Sequence, residues 1–173
     1  ALQINTGTLE AVLSKKSFYL YERVTLDRNA NHAFESDEEV SSKAKLTLTF
    51  RGTEYRTDLD TQTYRLEVEE KGSQKIVIKA SGWYQSEDGE RFSQAIVRYY
   101  FYQGKSSFKV SHTLIYTGYP ENKEYEAYKM LRLPENEMIE SYELKIPYAF
   151  SDVKDEQVYM GLSRSEPRAI IAG

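Results

Sequence analysis

The chain of 173 residues has no cysteine, only four prolines and nine glycines, one tryptophan and two histidines. Without cysteine there is no disulfide framework, thiolate zinc site or cysteine nucleophile, so stability must come from a packed core. Apolar runs stay far below the roughly 20 residues that a membrane-crossing helix needs, which excludes such a helix. There is no glycine-rich phosphate loop, no G-x-S-x-G elbow and no H-E-x-x-H pair. Positive charge is also short. With 23 Lys and Arg against 27 Asp and Glu, the net charge of −4 argues against a general nucleic-acid binder. No signal-peptide pattern opens the chain, which reads as cytosolic, already processed or cut from a larger protein. The compartment stays open.

What is present is tyrosine, fifteen of them beside seven phenylalanines. That bias favours β-sheet, and the default reading of the tyrosines is rings packed with hydroxyls left in water. Alternation of period two recurs along the chain, with no sustained helical period. In 8–14, Leu9, Ala11 and Leu13 share a face. In 44–50, Ala44, Leu46, Leu48 and Phe50 oppose Lys45, Thr47 and Thr49. In 63–70, Tyr64, Leu66 and Val68 alternate with Arg65, Glu67 and Glu69. Segment 138–150 aligns Tyr142, Leu144, Ile146, Tyr148 and Phe150, and Pro147 makes it an edge strand. Segment 157–163 adds Val158, Met160 and Leu162. Polar stretches 28–42 and 117–126 read as loops. The expected fold is all-β: a single domain over 1–173, an antiparallel sandwich or barrel built from hairpins and a meander.

The meander is the sharpest expectation. Asp88-Gly89 suits a two-residue type I′ turn and Gly104-Lys105 a type II′ turn. Centring two hairpins on these turns puts Tyr84–Ser93, Gly82–Ala95, Ala80–Val97, Ile78–Tyr99 and Ile76–Phe101 on one side. The second hairpin adds Phe101–Phe108, Tyr99–Val110, Val97–His112 and Ala95–Leu114 to the same side. Two independent turns thus agree on one apolar face, and a slip of one residue would expose it all.

The opposite face gathers Trp83, Tyr100 and Tyr102 with Lys79, Arg98 and Lys109. Flat rings stack on sugar rings, and arginine can hold a carboxylate bidentately. Directly opposed Lys79 and Arg98 repel, which invites an anion between them. These six residues are the candidate substrate-binding set, and an acidic polysaccharide the candidate partner. Two plainer readings stand beside it. Pairing 65–70 so that Leu66 and Val68 join the core puts Glu67 beside Lys79, and Lys109 over Tyr100 is an ordinary cation–ring contact. A second sheet or a neighbouring domain covering this face is the other.

His112, on the inward face with Phe108, Val110 and Leu114, reads as a neutral core residue bonded to a carbonyl or a tyrosine hydroxyl. Between Asp27 and Glu38, residues Asp27, Asn29, Asn31, Glu35 and Glu38 fall at calcium-loop spacings. His32 stands where that loop needs glycine, so the default is a solvated acidic loop with no cofactor. Calcium on Asp27, Asn29, Asn31 and Glu38 is the option to test. No glycosidase carboxylate pair can be singled out.

Residues 4–29 and 75–121 resemble the exo-rhamnogalacturonan lyase/YetA-like family, in its N-terminal β-barrel (RIFT-barrel) domain. Shared features are Thr6-Gly7-x-Leu9, Gly82-Trp83, Asp88-Gly89, Arg98 through Tyr102-x-Gly104, and Lys109-Val110-x-His112-Thr113 ending at Thr117-Gly118. The resemblance runs from about residue 4 to the end. It implies a multidomain parent in which this β domain precedes an α/α-barrel and a further β domain. Such lyases abstract the proton beside a uronic-acid carboxylate and eliminate the glycosidic oxygen. Against that family pattern the sequence shows no helical-barrel segment, and the resemblance implies that the first part of the family's β domain is not represented in it. None of the family's catalytic residues is therefore carried over.

The expectation is an accessory domain, supporting domain packing and acidic-glycan binding. Two alternatives remain. One is a lyase domain with Arg98 as carboxylate partner and a tyrosine or His112 as base, and the other a protein–protein interaction scaffold. No nucleic acid or membrane partner is expected.

Overall fold

The computed structural model describes residues 1–117 and 139–149 in full, and 157–160 and 169–172 as backbone. The strands are β1 (Leu2–Asn5), β2 (Leu9–Leu13), β3 (Tyr21–Leu26), β4 (Glu39–Phe50), β5 (Thr53–Arg56), β6 (Arg65–Lys71), β7 (Lys75–Gln85), β8 (Arg91–Tyr102), β9 (Lys109–Ile115), β10 (Ser141–Lys145), β11 (Gln157–Met160) and β12 (Ala169–Ala172). Every pairing among them is antiparallel. The path β1-β2-β3-β4-β5-β7-β8-β9 carries β10 on β4 and β6 on β7, while among the described residues β11 and β12 pair only with each other. The long strand β4 joins both halves: its first residues pair with β3, its last with β5. The sheet folds over on itself as a sandwich and stays open, not a closed barrel. Strands β1, β3 and β5 were not among those read from alternation, and β4 begins at Glu39, inside the stretch expected to be loop. Residues 118–126 of the second expected loop lie outside the described residues, as do Phe150 and Leu162.

The meander has the expected register. Gly82↔Ala95, Ala80↔Val97, Ile78↔Tyr99 and Ile76↔Phe101 pair on one ribbon, and Tyr99↔Val110, Val97↔His112 and Ala95↔Leu114 on the next. The turns differ from expectation. Glu87, Asp88 and Gly89 form a three-residue loop: the Ser86 N–H donates to the Glu90 carbonyl at 2.8 Å and the Gly89 N–H to the Ser86 carbonyl at 3.1 Å. Gly89, at φ +87°, takes the left-handed place such a loop demands. Three loop residues shift the ribbon by one, to Gln85↔Arg91, and a bulge restores it at Trp83↔Gln94. Ser93 sits in that bulge at φ +62°. Two irregularities cancel. The bulge also turns Phe92 inward beside Ser93, where it stacks on Phe50 at 4.3 Å, although strict alternation sends it outward.

The second turn is longer than two residues, since β8 ends at Tyr102 and β9 begins at Lys109. The Lys105 N–H donates to the Tyr102 carbonyl at 3.2 Å. Phe101 and Phe108 are not ladder partners, but their rings stack at 4.9 Å.

Inside, Leu9, Leu13, Phe18, Leu46, Leu48, Phe50, Ile78, Val97, Tyr99 and Phe101 belong to one contiguous core. The tyrosines depart from the default. Tyr21, Tyr55, Tyr64, Tyr84 and Tyr99 are buried, and their hydroxyls find internal partners. Tyr99 donates to the Leu20 carbonyl at 2.6 Å, and Tyr64 to the Ser14 carbonyl at 2.8 Å. A buried phenol left unpaired would cost about 1–3 kcal/mol, so these bonds also select which strands meet. Val68, expected in the core, is 52 % exposed, because β6 is an edge strand whose outer half nothing covers among the described residues.

Candidate functional site

The outward face of β7, β8 and β9 carries all six candidate residues, but not in one cluster. Trp83 and the Tyr100 partner Val77 are six residues apart on β7, or about 20 Å along the strand. Two separate ends result.

At the first end Trp83 is half-buried, with the Arg91 guanidinium 5.7 Å from its ring centroid. Its backbone N–H donates to Asp60 Oδ2 at 2.8 Å. Asp60 is 1 % exposed and also accepts the Thr63 N–H at 2.9 Å and its hydroxyl at 2.5 Å. Gly82 makes this possible. A Cβ there would lie 2.8 Å from Asp60 Oδ2 and 2.9 Å from Phe18 Cδ1. The Gly82-Trp83 pair is thus a packing device: the glycine admits the carboxylate that holds the next residue.

Between the ends, Lys79 and Arg98 oppose each other as expected. The negative charge between them is supplied from within. Glu69 receives a bidentate pair from Arg98 at 2.8 and 3.1 Å, and Glu67 lies 3.7 Å from Lys79. The Arg98 bonds hold the Glu69 carboxyl below, and the guanidinium above, their ordinary values. Strand β6 thereby occupies the place proposed for a ligand carboxylate.

At the second end the surface turns concave. Tyr102, 40 % exposed, faces Lys75 across the ladder, and Lys109 stands 5.3 Å from the Tyr100 ring centroid. Two clefts of about 570 and 290 Å³ meet on Gln74, Lys75, Tyr102 and Gln103. Lys105 and Lys109 line the larger. Lys75 pairs with Glu70 at 2.8 Å, whereas Lys105 and Lys109 have no carboxylate partner among the described residues. Two uncompensated ammonium groups, a phenol ring and two side-chain amides make a donor-rich groove in an acidic chain. Asn5, Thr6 and Gly7 border the smaller cleft. The Gly104 N–H donates to the Thr6 carbonyl at 2.7 Å and Thr6 Oγ1 to the Lys105 carbonyl at 2.8 Å. Segments some hundred residues apart thus build one rim, a closeness that no local pattern signals. Lys75, Lys105, Gln74 and Gln103 escaped sequence reasoning for that reason.

His112 lies inward, as expected, between two tyrosines. Tyr84 Oη is 3.2 Å from Nε2 and Tyr142 Oη 2.9 Å from Nδ1, with the Tyr142 ring stacked at 5.2 Å. Burial pushes its pKa below the ordinary histidine value and raises those of both phenols. Arg98 and His112 occupy opposite faces, since their register partners are the adjacent residues Ser111 and Val97.

In the acidic loop, Asp27 accepts the Asn31 and His32 N–H groups at 3.2 and 3.1 Å. Glu38 accepts those of Arg28 at 2.9 Å and Glu35 at 3.3 Å. Asn29 and Asn31 direct their amides to Glu35, at 3.3 and 3.5 Å. The candidate calcium ligands are thus engaged in holding the loop, and no group of three metal-ligating residues is found among the described residues.

Fold and site together define an antiparallel β-sandwich domain with a lysine- and tyrosine-lined groove at one end of its outward sheet. A family model described as the PcRGLX-like protein central beta sandwich domain matches residues 1–127. The chain belongs to this family, a β-sandwich domain of rhamnogalacturonan lyase-like proteins. That description makes the domain central and a sandwich, where the resemblance was to an N-terminal β-barrel, and the open sheet agrees with the sandwich. No curated protein and no solved structure matches the chain.

Proposed function

We propose that this is an accessory, non-catalytic domain of a rhamnogalacturonan lyase-like protein that supports domain packing and binds acidic glycan. The binding surface is the Tyr102 end of the outward face, not the whole row of six residues. One observation carries this reading: Lys105 and Lys109 are exposed beside Tyr102 and lack carboxylate partners among the described residues, while Lys79 and Arg98 are neutralised by β6. A sugar ring stacks on the phenol face, its carboxylate meets the ammonium groups, and Gln74 and Gln103 bond its hydroxyls. Catalysis by an Arg98–His112 pair finds no support, because the two side chains leave opposite sides of the sheet.

The test is titration of the chain with acidic oligosaccharides at low and high salt, alongside ultraviolet detection of unsaturated product. Binding without turnover is expected. Lys105→Ala combined with Lys109→Ala should weaken it about tenfold and flatten its salt dependence, while Trp83→Ala leaves it unchanged. Equal loss from Trp83→Ala, or no binding of any acidic glycan, would refute the proposal.

A further inference from the structure

Strand β10 is, among the described residues, the outermost strand of its half of the sheet. Among the described residues its only strand partner is β4, so its second backbone edge is unpaired there. Tyr142, Leu144 and Ile146 are 44 %, 49 % and 45 % exposed, an alternate-residue apolar row at this edge. Glu143 and Lys145 alternate with them. An edge of this kind is a template for another strand. The pattern of charge selects which one.

We propose that β10 pairs with β10 of a second copy of this chain, antiparallel about a two-fold axis through Leu144. That register places each Glu143 opposite Lys145 of the other copy, twice by symmetry. Leu144 meets its own counterpart and Tyr142 meets Ile146, so the apolar rows become one stripe. A two-fold interface demands such self-complementarity, and this pentad satisfies it at every position from 142 to 146. The charges are already poised: Lys145 Nζ lies 3.2 Å from Glu54 and 3.5 Å from Glu143 of its own chain, and Glu143 of the second copy adds a third glutamate to that network. The His112 contact at 2.9 Å fixes Tyr142 at one end of the row. The regular strand stops at Lys145, and just beyond it Pro147 turns its carbonyl to the Ser41 hydroxyl of β4. The interface is therefore short and the dimer weak.

Sedimentation of the full chain between about 5 and 500 µM tests this. The mass should rise from 20.1 kDa toward twice that value with concentration. Glu143→Lys sets like charges face to face in both pairs and should weaken association about tenfold or more, as should Lys145→Glu. Glu143→Lys combined with Lys145→Glu restores opposite pairs and should restore the dimer. The melting temperatures of the same variants establish that each monomer folds. A single 20.1 kDa species throughout, a dimer indifferent to Glu143→Lys, or a double variant that stays monomeric would each overturn the proposal. So would slow amide exchange in dilute monomer at Leu144 and Ile146, which alternate with the β4-bonded Glu143 and Lys145 and so point away from β4, because it would mean that another part of the same chain covers the edge.

Discussion

The two ends of the β7–β8 ribbon use the same kinds of residue for opposite purposes. At one, Gly82 makes room for Asp60, 1 % exposed, and the Trp83 N–H and the Thr63 N–H and hydroxyl converge on its carboxylate, while Arg91 lies over the tryptophan ring. At the other, glycine, tyrosine and lysine meet open solvent, and two ammonium groups face no counter-charge among the described residues. A ring beside a cation is thus no signature of binding in itself. What separates the ends is whether the backbone beneath is clamped and whether an acid already sits within reach.

The largest effect expected to break this comparison is Gly82→Ala. Its Cβ would press on Asp60 and Phe18 at 2.8 and 2.9 Å, and overpacking of that severity costs about 2–4 kcal/mol. Urea unfolding measures it, and a loss below about 1 kcal/mol would mean the clamped end is not clamped. Next comes acid. Because burial lowers the His112 pKa, the unfolded chain takes up the proton first. Stability from this group is fully present above the ordinary value of about 6.5 and is lost as pH falls from there toward the lowered native value. His112→Gln should abolish that slope, and identical pH profiles for both proteins would show that the Tyr84–His112–Tyr142 contact does not couple to folding.

Ser93→Gly is expected to act in the other direction. Ser93 holds φ at +62°, and its buried hydroxyl has no hydrogen-bond partner among the described residues. Glycine relieves both, for a gain of about 1 kcal/mol read from the unfolding midpoint, whereas a loss would show that the bulge depends on the side chain. The smallest effect belongs to the open end: Tyr102→Ala should change stability by less than about 0.5 kcal/mol while weakening glycan binding. A stability loss as large as that of Gly82→Ala would erase the distinction between the two ends.

The face assignment of the meander was legible because alternation and turn residues are local signals that agree. Ile78, Ala80, Val97 and Tyr99 went inward, and Lys79, Trp83 and Arg98 outward. Even the misread first turn left the register intact, since the bulge at Ser93 compensated for the extra loop residue. Val68 was misjudged because it lies on an edge that nothing covers among the described residues, and Phe92 turns inward through a bulge that local alternation does not signal. The six candidate residues reached the expected face, but their grouping did not follow, because shared orientation says nothing about distance along a strand or about acids on the next one.

By itself the sequence determined an all-β chain, the side of the sheet that the meander residues outside the Ser93 bulge face, and the absence of thiol or phosphate-loop chemistry. Those follow from residue type and a period of two, which each short segment expresses alone. Only the tertiary structure decided that Glu69 neutralises Arg98, that Asp60 fills the space above Gly82, and that Thr6 meets Gly104 at the rim of a groove. Such contacts join residues tens of positions apart, and their existence depends on how the whole sheet folds over.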